Sequence, residues 1–271
     1  MAQELAMRCD YEPLTDADRM LAAFGVAPLA DSALGAPAAF IVPAEAPDAG
    51  TLGVLRPGCF GLLPPALRGG GDALRVRECR VETMKSNPTC RESWWAARRC
   101  VVPVARLTTW CHDTGRPQAW AIQRADGDPL GLAGLWSETI DASGAPIAAF
   151  CVLTLGAAGH PVFGRLAPPM SQDPRMPVIL GGAAQRQWLQ GTWADAERVL
   201  LRLPAELLSA GPLEASDPAA QRTPPGVGVA DLFEGEGWLP VPARQRREAP
   251  RRVTRPRAVI PAGPVTGDLF A

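Results

Sequence analysis

The sequence predicts an α+β domain dominated by short strands, followed by a tail that builds no core. Three observations lead there. Gly and Pro number 27 and 29 in 271 residues, well above the roughly 12% combined share of an ordinary chain, which favours many turns over a helix bundle. Apolar runs are brief and bounded by turn residues. After Gly211 the composition shifts, and residues 243–257 (ARQRREAPRRVTRPR) hold seven arginines and one acid among prolines.

Along the chain, residues 1–34 read as a helical entry, with Thr15-Asp16 capping ADRMLAAFG and Gly25 stopping it. AFIVP and LGVLRPGCFGLLP are strand-and-turn segments. RVRECRVETM alternates charged and smaller residues, as a strand with one polar face does. Asn87-Pro88-Thr89 starts a short helix, CRESWWAARR, leading into the strand CVVPVARLTTW. AWAIQR and LGLAGLW flank a turn at Ala125–Pro129, IAAFCVLTL follows, and MPVIL is a further buried strand. AAQRQWLQG and WADAERVLLRL read as short amphipathic helices. Trp94, Trp95, Trp120, Trp136 and Trp188 stand in apolar contexts and are expected in the core. The globular part, 1–210, is expected to end near Ala210. Residues 211–271 form a Pro/Arg-rich segment expected to be disordered.

Net charge is −1, so any nucleic-acid contact has to come from a local patch. The seven cysteines include no CxxC pair, and MAQELAMRCD lacks the apolar core of a signal peptide. They are expected to be reduced thiols of a cytoplasmic protein. With His112 and His160 the only histidines, neither a structural zinc site nor another cofactor is expected. No apolar run reaches the roughly 18 residues of a membrane span.

Five fragments in a fixed order carry a family resemblance. They are Glu78-Cys79-Arg80-Val81-Glu82-Thr83, Arg98-Arg99-Cys100-Val101-Val102-Pro103, Ala133-Gly134-Leu135-Trp136, Leu153-Thr154 with Gly159-His160-Pro161, and Arg175-Met176-Pro177-Val178-Ile179-Leu180. Together they resemble the SRAP (SOS response-associated peptidase) family of abasic-site-processing proteins. The resemblance implies an α+β fold with a mostly antiparallel, barrel-like β core, short peripheral helices and a basic cleft for single-stranded DNA.

The family's chemistry requires a cysteine directly after the initiator methionine. Its thiol and free α-amine close a thiazolidine ring on the aldehyde of an abasic sugar, assisted by an asparagine, a glutamate and a histidine. Here Ala2 follows Met1, and Cys9 stands in Met7-Arg8-Cys9-Asp10, one place beyond the family pattern. The asparagine position holds Glu78, and the glutamate position holds Thr109. The histidine position holds Asp173 or Ala167. No catalytic residue is therefore assigned, and a pseudoenzyme of the DNA-damage response is the expectation. Two alternatives stand beside it: abasic-site processing or peptidase activity through substitutes such as Cys9 or Glu82, and a non-enzymatic adaptor.

DNA contact is expected through Arg80, Lys85, Arg98, Arg99 and Thr154. Residues 75–106 hold seven Arg and one Lys against three Glu, although these arginines also suit a solvated face paired with Glu78, Glu82 and Glu92. The family's aromatic Trp-Gly-x-x-Pro segment corresponds to Phe60-Gly61-Leu62-Leu63-Pro64. In the tail, Asp268-Leu269-Phe270 resembles peptides that dock in the apolar groove of a sliding clamp. A monomer, associated with the nucleoid when DNA-bound, completes the expectation.

Overall fold

The computed structural model describes residues 10–27, 38–44, 50–64, 76–140, 146–167 and 171–222. Cys9 and the Asp268-Leu269-Phe270 motif lie outside them. Twelve strands join in one sheet: β1 (Asp10–Pro13), β2 (Ala39–Val42), β3 (Val54–Pro57), β4 (Cys59–Phe60), β5 (Glu78–Arg80), β6 (Arg99–Cys111), β7 (Gln118–Arg124), β8 (Leu130–Ile140), β9 (Pro146–Gly156), β10 (Arg175–Pro177), β11 (Ile179–Leu180) and β12 (Leu208–Pro212). Among the described residues four α-helices accompany them: α1 (Ala17–Phe24), α2 (Arg91–Trp95), α3 (Gly182–Gln190) and α4 (Trp193–Arg198). The class is α+β.

The main path of the sheet runs β10-β9-β8-β6-β2-β3 and stays open, not closed into a barrel. Pairing is antiparallel except for β4 and β5, which run parallel to β9. The segment 175–180 wedges into a fork between β8 and β9. Val178 donates its N–H to Leu153 O at 2.9 Å, and its carbonyl accepts from Ala133 N at 2.9 Å.

Period-two alternation divides the sheet residues between two cores. Val101, Ala133, Cys151 and Leu153 face the helix side, with Phe24, Trp94 and Trp188. Their neighbours Cys100, Val102, Leu132, Phe150 and Val152 face the other side, with Phe40, Leu107 and Ile122. Trp188 ties α3 to the longest strand by donating Nε1–H to Cys100 O at 2.8 Å. Gly134 lets β8 and β9 close up: a Cβ there would sit 2.6 Å from Cys151 O and 2.8 Å from Cys100 Sγ.

Several elements depart from the sequence reading. The RVRECRVETM strand is shorter than expected. Pairing to β9 ends at Arg80, and residues 81–86 turn away to start the approach to α2. Trp95 is 57% exposed, contrary to its expected place in the core. With α2 only five residues long and Trp94 pointing inward, the next indole swings outward onto Trp193, 6.2 Å centroid to centroid. Strand β12 and turns up to residue 221 continue past Ala210. Arg106 there bridges Glu12 at 2.6 Å and Asp217 at 2.8 Å, and Arg222 meets Asp10 at 3.3 Å. No helix among the described residues is long and apolar enough to cross a membrane.

Candidate nucleic-acid interface

The site is assembled where β5 lies alongside β9. Glu78, Cys79 and Arg80 register with Val152, Leu153 and Thr154. Cys79 enters the helix-side core, so the pleat turns Glu78 and Arg80 to the opposite face. There Glu78 and Thr154 line a cavity of about 20 Å³ with Tyr11, Phe60, Leu107, Leu132, Val152 and Pro177. Such a space has room for about one water molecule.

Burial pushes the Glu78 carboxyl up to about 7, with Arg175 and Arg80 pulling the other way. Desolvation wins because the walls are mostly apolar. The Tyr11 phenol is likewise pushed above its ordinary range by burial, and its ring stands edge-on to Phe60 at 5.0 Å.

Beside the cavity runs a chain of alternating charges. Arg175 is 5% exposed and grips Glu82 with both terminal nitrogens, at 2.7 and 3.1 Å. It also donates to Thr154 O at 2.8 Å. Asp173 meets Arg175 at 3.5 Å and Arg80 at 3.0 Å. Burial opposes charge on Glu82, but its hydrogen bonds from Arg175 and from Gly156 N hold the carboxyl below its ordinary value. Bidentate geometry fixes the loop 81–86 against β9 and β10.

The five expected contact residues fall in different places. Arg80 and Thr154 are brought together as register partners, though Thr154 is only 2% exposed. Lys85 pairs with Glu197 at 2.8 Å on α4. Arg98 stacks over Trp136, 5.6 Å from the ring centroid. Arg99 is buried, and its guanidinium donates to Gly191 O at 2.7 Å and Thr192 O at 3.4 Å, fastening the link between α3 and α4. Phe60 lies against Phe150 at 5.4 Å, and Leu62 and Leu63 are buried.

Among the described residues that line the cavity, the ionisable side chains are Tyr11 and Glu78. Its lining includes Leu107 from β6 and not Thr109, which is buried two residues farther on. Asp173 is held between two arginines. His160 has a structural part: its Nδ1 accepts from Val162 N and Phe163 N, both at 3.2 Å, which leaves Nε2–H to donate to Leu203 O at 2.9 Å. Among the described residues, no group of three or more His, Cys, Asp or Glu is arranged to hold a metal ion.

A family model described as SOS response associated peptidase (SRAP) matches residues 3–215. The chain belongs to the SRAP family. A crystal structure of a Bordetella bronchiseptica protein is similar at 29% identity and a TM-score of 0.67, covering 75% of this chain and 98% of that one. A Bacteroides thetaiotaomicron protein shares the fold at 21% identity and a TM-score of 0.53, covering 68% and 80%. No curated protein matches. SRAP membership associates the chain with the DNA-damage response. Its Arg175–Glu82 clamp is the feature that sequence reasoning missed. The available signal was a charged residue opening the apolar run Met176–Leu180, where burial demands a partner.

Proposed function

We propose that this SRAP-family protein binds single-stranded or abasic-site DNA, and that it has lost the family's covalent crosslinking and peptidase chemistry. One observation carries the reading: the assisting positions hold groups unsuited to their roles. Glu78 offers a half-buried carboxyl, Thr109 a buried hydroxyl, and the histidine position either Asp173, a carboxylate already engaged by Arg80 and Arg175, or Ala167, which has no polar side chain. None of these reproduces a neutral amide, a carboxylate base and an imidazole converging on one point.

The DNA path runs over Arg80, Lys85 and Arg98, which reach the surface. Arg99 and Thr154 support it from beneath. Their ion pairs with Asp173 and Glu197 are exposed and of low strength, so phosphates can compete for the cations. Cytoplasmic, nucleoid-associated action as a monomer completes the proposal.

A salt-dependent titration with fluorescent single-stranded DNA tests the binding. Arg80→Ala is expected to weaken affinity and reduce the salt slope by about one. Affinity unaltered by that change would remove the cleft from consideration. A denaturing gel with abasic DNA tests the chemistry, alongside mass spectrometry of the mature N-terminus. A heat-stable adduct would overturn the loss of function.

One observation supports a second reading, retained catalysis. A carboxyl that titrates near neutrality in a cavity is suited to moving protons. Strand cleavage at an abasic site that disappears in Glu78→Gln would establish it. Pull-down with and without residues 223–271 tests the adaptor role, including clamp docking through Asp268, Leu269 and Phe270.

A further inference from the structure

Among the described residues two aromatic side chains are exposed, and they pack on each other. Trp95, the last residue of α2, is 57% exposed, and Trp193, the first of α4, is 48% exposed. Their rings meet edge to face at an interplanar angle of 66°. In such a pair the edge of one ring covers one face of the other, and the remaining faces stay open to a third flat ring. Both indoles are held from beneath. Trp94 anchors α2 by stacking on Trp188, and Arg99 fastens the start of α4 through Gly191 O and Thr192 O.

Cations border the pair at both ends. Trp193 and Glu197 are neighbours one turn apart on α4, and Lys85 Nζ reaches Glu197 Oε1 at 2.8 Å, so an ammonium lies about a helical turn from the indoles. Arg91, also exposed, stands one turn before Trp95 on α2. Asp195 is engaged by the Thr192 hydroxyl and by Arg198. The other exposed residues of the two helices are Glu92, Ala194, Glu197 and Arg198. The aromatic surface therefore stops at the two indoles. That is too little for a stable protein contact, which buries about 800 Å² per partner, but enough to seat a nucleobase.

We propose that Trp95 and Trp193 form a stacking platform for the unpaired bases of single-stranded DNA. The inference rests on the DNA binding proposed above and extends that path from Lys85 across the ends of α2 and α4. Lys85 is the joint between the two. Its ion pair with Glu197 is exposed and weak, so a phosphate can displace the carboxylate while the attached base reaches the indoles. Stacking tolerates every base because each has a π-face, so the platform adds affinity without sequence preference. It is also non-ionic, so its share of the affinity is insensitive to salt, unlike the share of the cations.

The experiment titrates the full chain with a labelled oligothymidylate at several salt concentrations. Trp95→Ala and Trp193→Ala are each expected to weaken binding at least about fivefold with the salt slope unchanged, whereas Arg80→Ala lowers the slope. Trp95→Phe, which keeps a flat ring, should retain most of the affinity. Parental affinity in both alanine variants, with Arg80→Ala impaired, overturns the platform and leaves the DNA path standing. No binding by the parent overturns both. Self-association of the parent that Trp193→Ala abolishes while DNA affinity stays unaltered assigns the surface to a second copy of the chain, and equally overturns the proposal. Should an alanine variant fail to fold, Trp95→Phe and Trp193→Phe decide through the quenching of tryptophan fluorescence by unlabelled oligothymidylate. That quenching is expected to be smaller in each than in the parent, and equal quenching overturns the platform.

Discussion

Glu78 couples the stability of the domain to pH. In the unfolded chain its carboxyl ionises at the ordinary 4.5, whereas in the folded protein burial holds it up to about 7. Between those values the folded state retains a proton that the unfolded state has released, so stability falls as pH rises. The gap, at about 1.4 kcal/mol per pH unit, gives a penalty of about 3 kcal/mol that is complete above pH 7 and absent below 4.5. Glu78→Gln preserves shape and removes the charge. Urea unfolding at pH 5 and pH 8 should show the variant gaining about 3 kcal/mol over the parent at the higher pH and little at the lower. Equal pH dependence of the two proteins would refute the reasoning, because it would mean that Arg80 and Arg175 already compensate the carboxylate in full.

Other predictions are read from single contacts. Arg175→Met should cost about 2 kcal/mol in denaturant unfolding, less than a fully buried pair because Glu82 is half exposed; the deficit should shrink in acid, where Glu82 protonates and its contribution is lost. Trp188→Phe removes the donor to Cys100 O and should cost about 1–3 kcal/mol by the same assay. Asp173→Asn removes a negative charge 3.0 Å from Arg80 and should tighten single-stranded DNA binding in a low-salt titration, an effect that fades at high salt.

Much of the architecture was legible because its causes are local. The Asp16 cap, the apolar spacing of Met20 and Phe24 and the left-handed Gly25 define α1 wherever they occur. Long alternating runs likewise announce β6 to β9. The site was harder to read because its groups are joined across distance. Arg175 reaches Glu82 over 93 positions in the chain, and neither residue advertises the other. The seven arginines of 75–106 suggested a basic surface, but acids from elsewhere answer two of them: Asp173 for Arg80, Glu12 and Asp217 for Arg106. Charge counted in a window cannot include partners that folding brings in. Trp95 was misplaced for a related reason, since an apolar helix-like run carries no mark of where its last turn ends.

The bridge from Arg106 to Glu12 and Asp217 bears on the order in which the molecule can be completed. The first described strand, β1, is held on one side by β6 and tied by ions to residues 217 and 222, some two hundred positions later. During synthesis its outer fastening must wait until nearly the whole domain has left the ribosome. Nascent chains halted before that point should leave β1 open to proteolysis, and a shortened protein meant to retain the native lock has to be cut beyond residue 222.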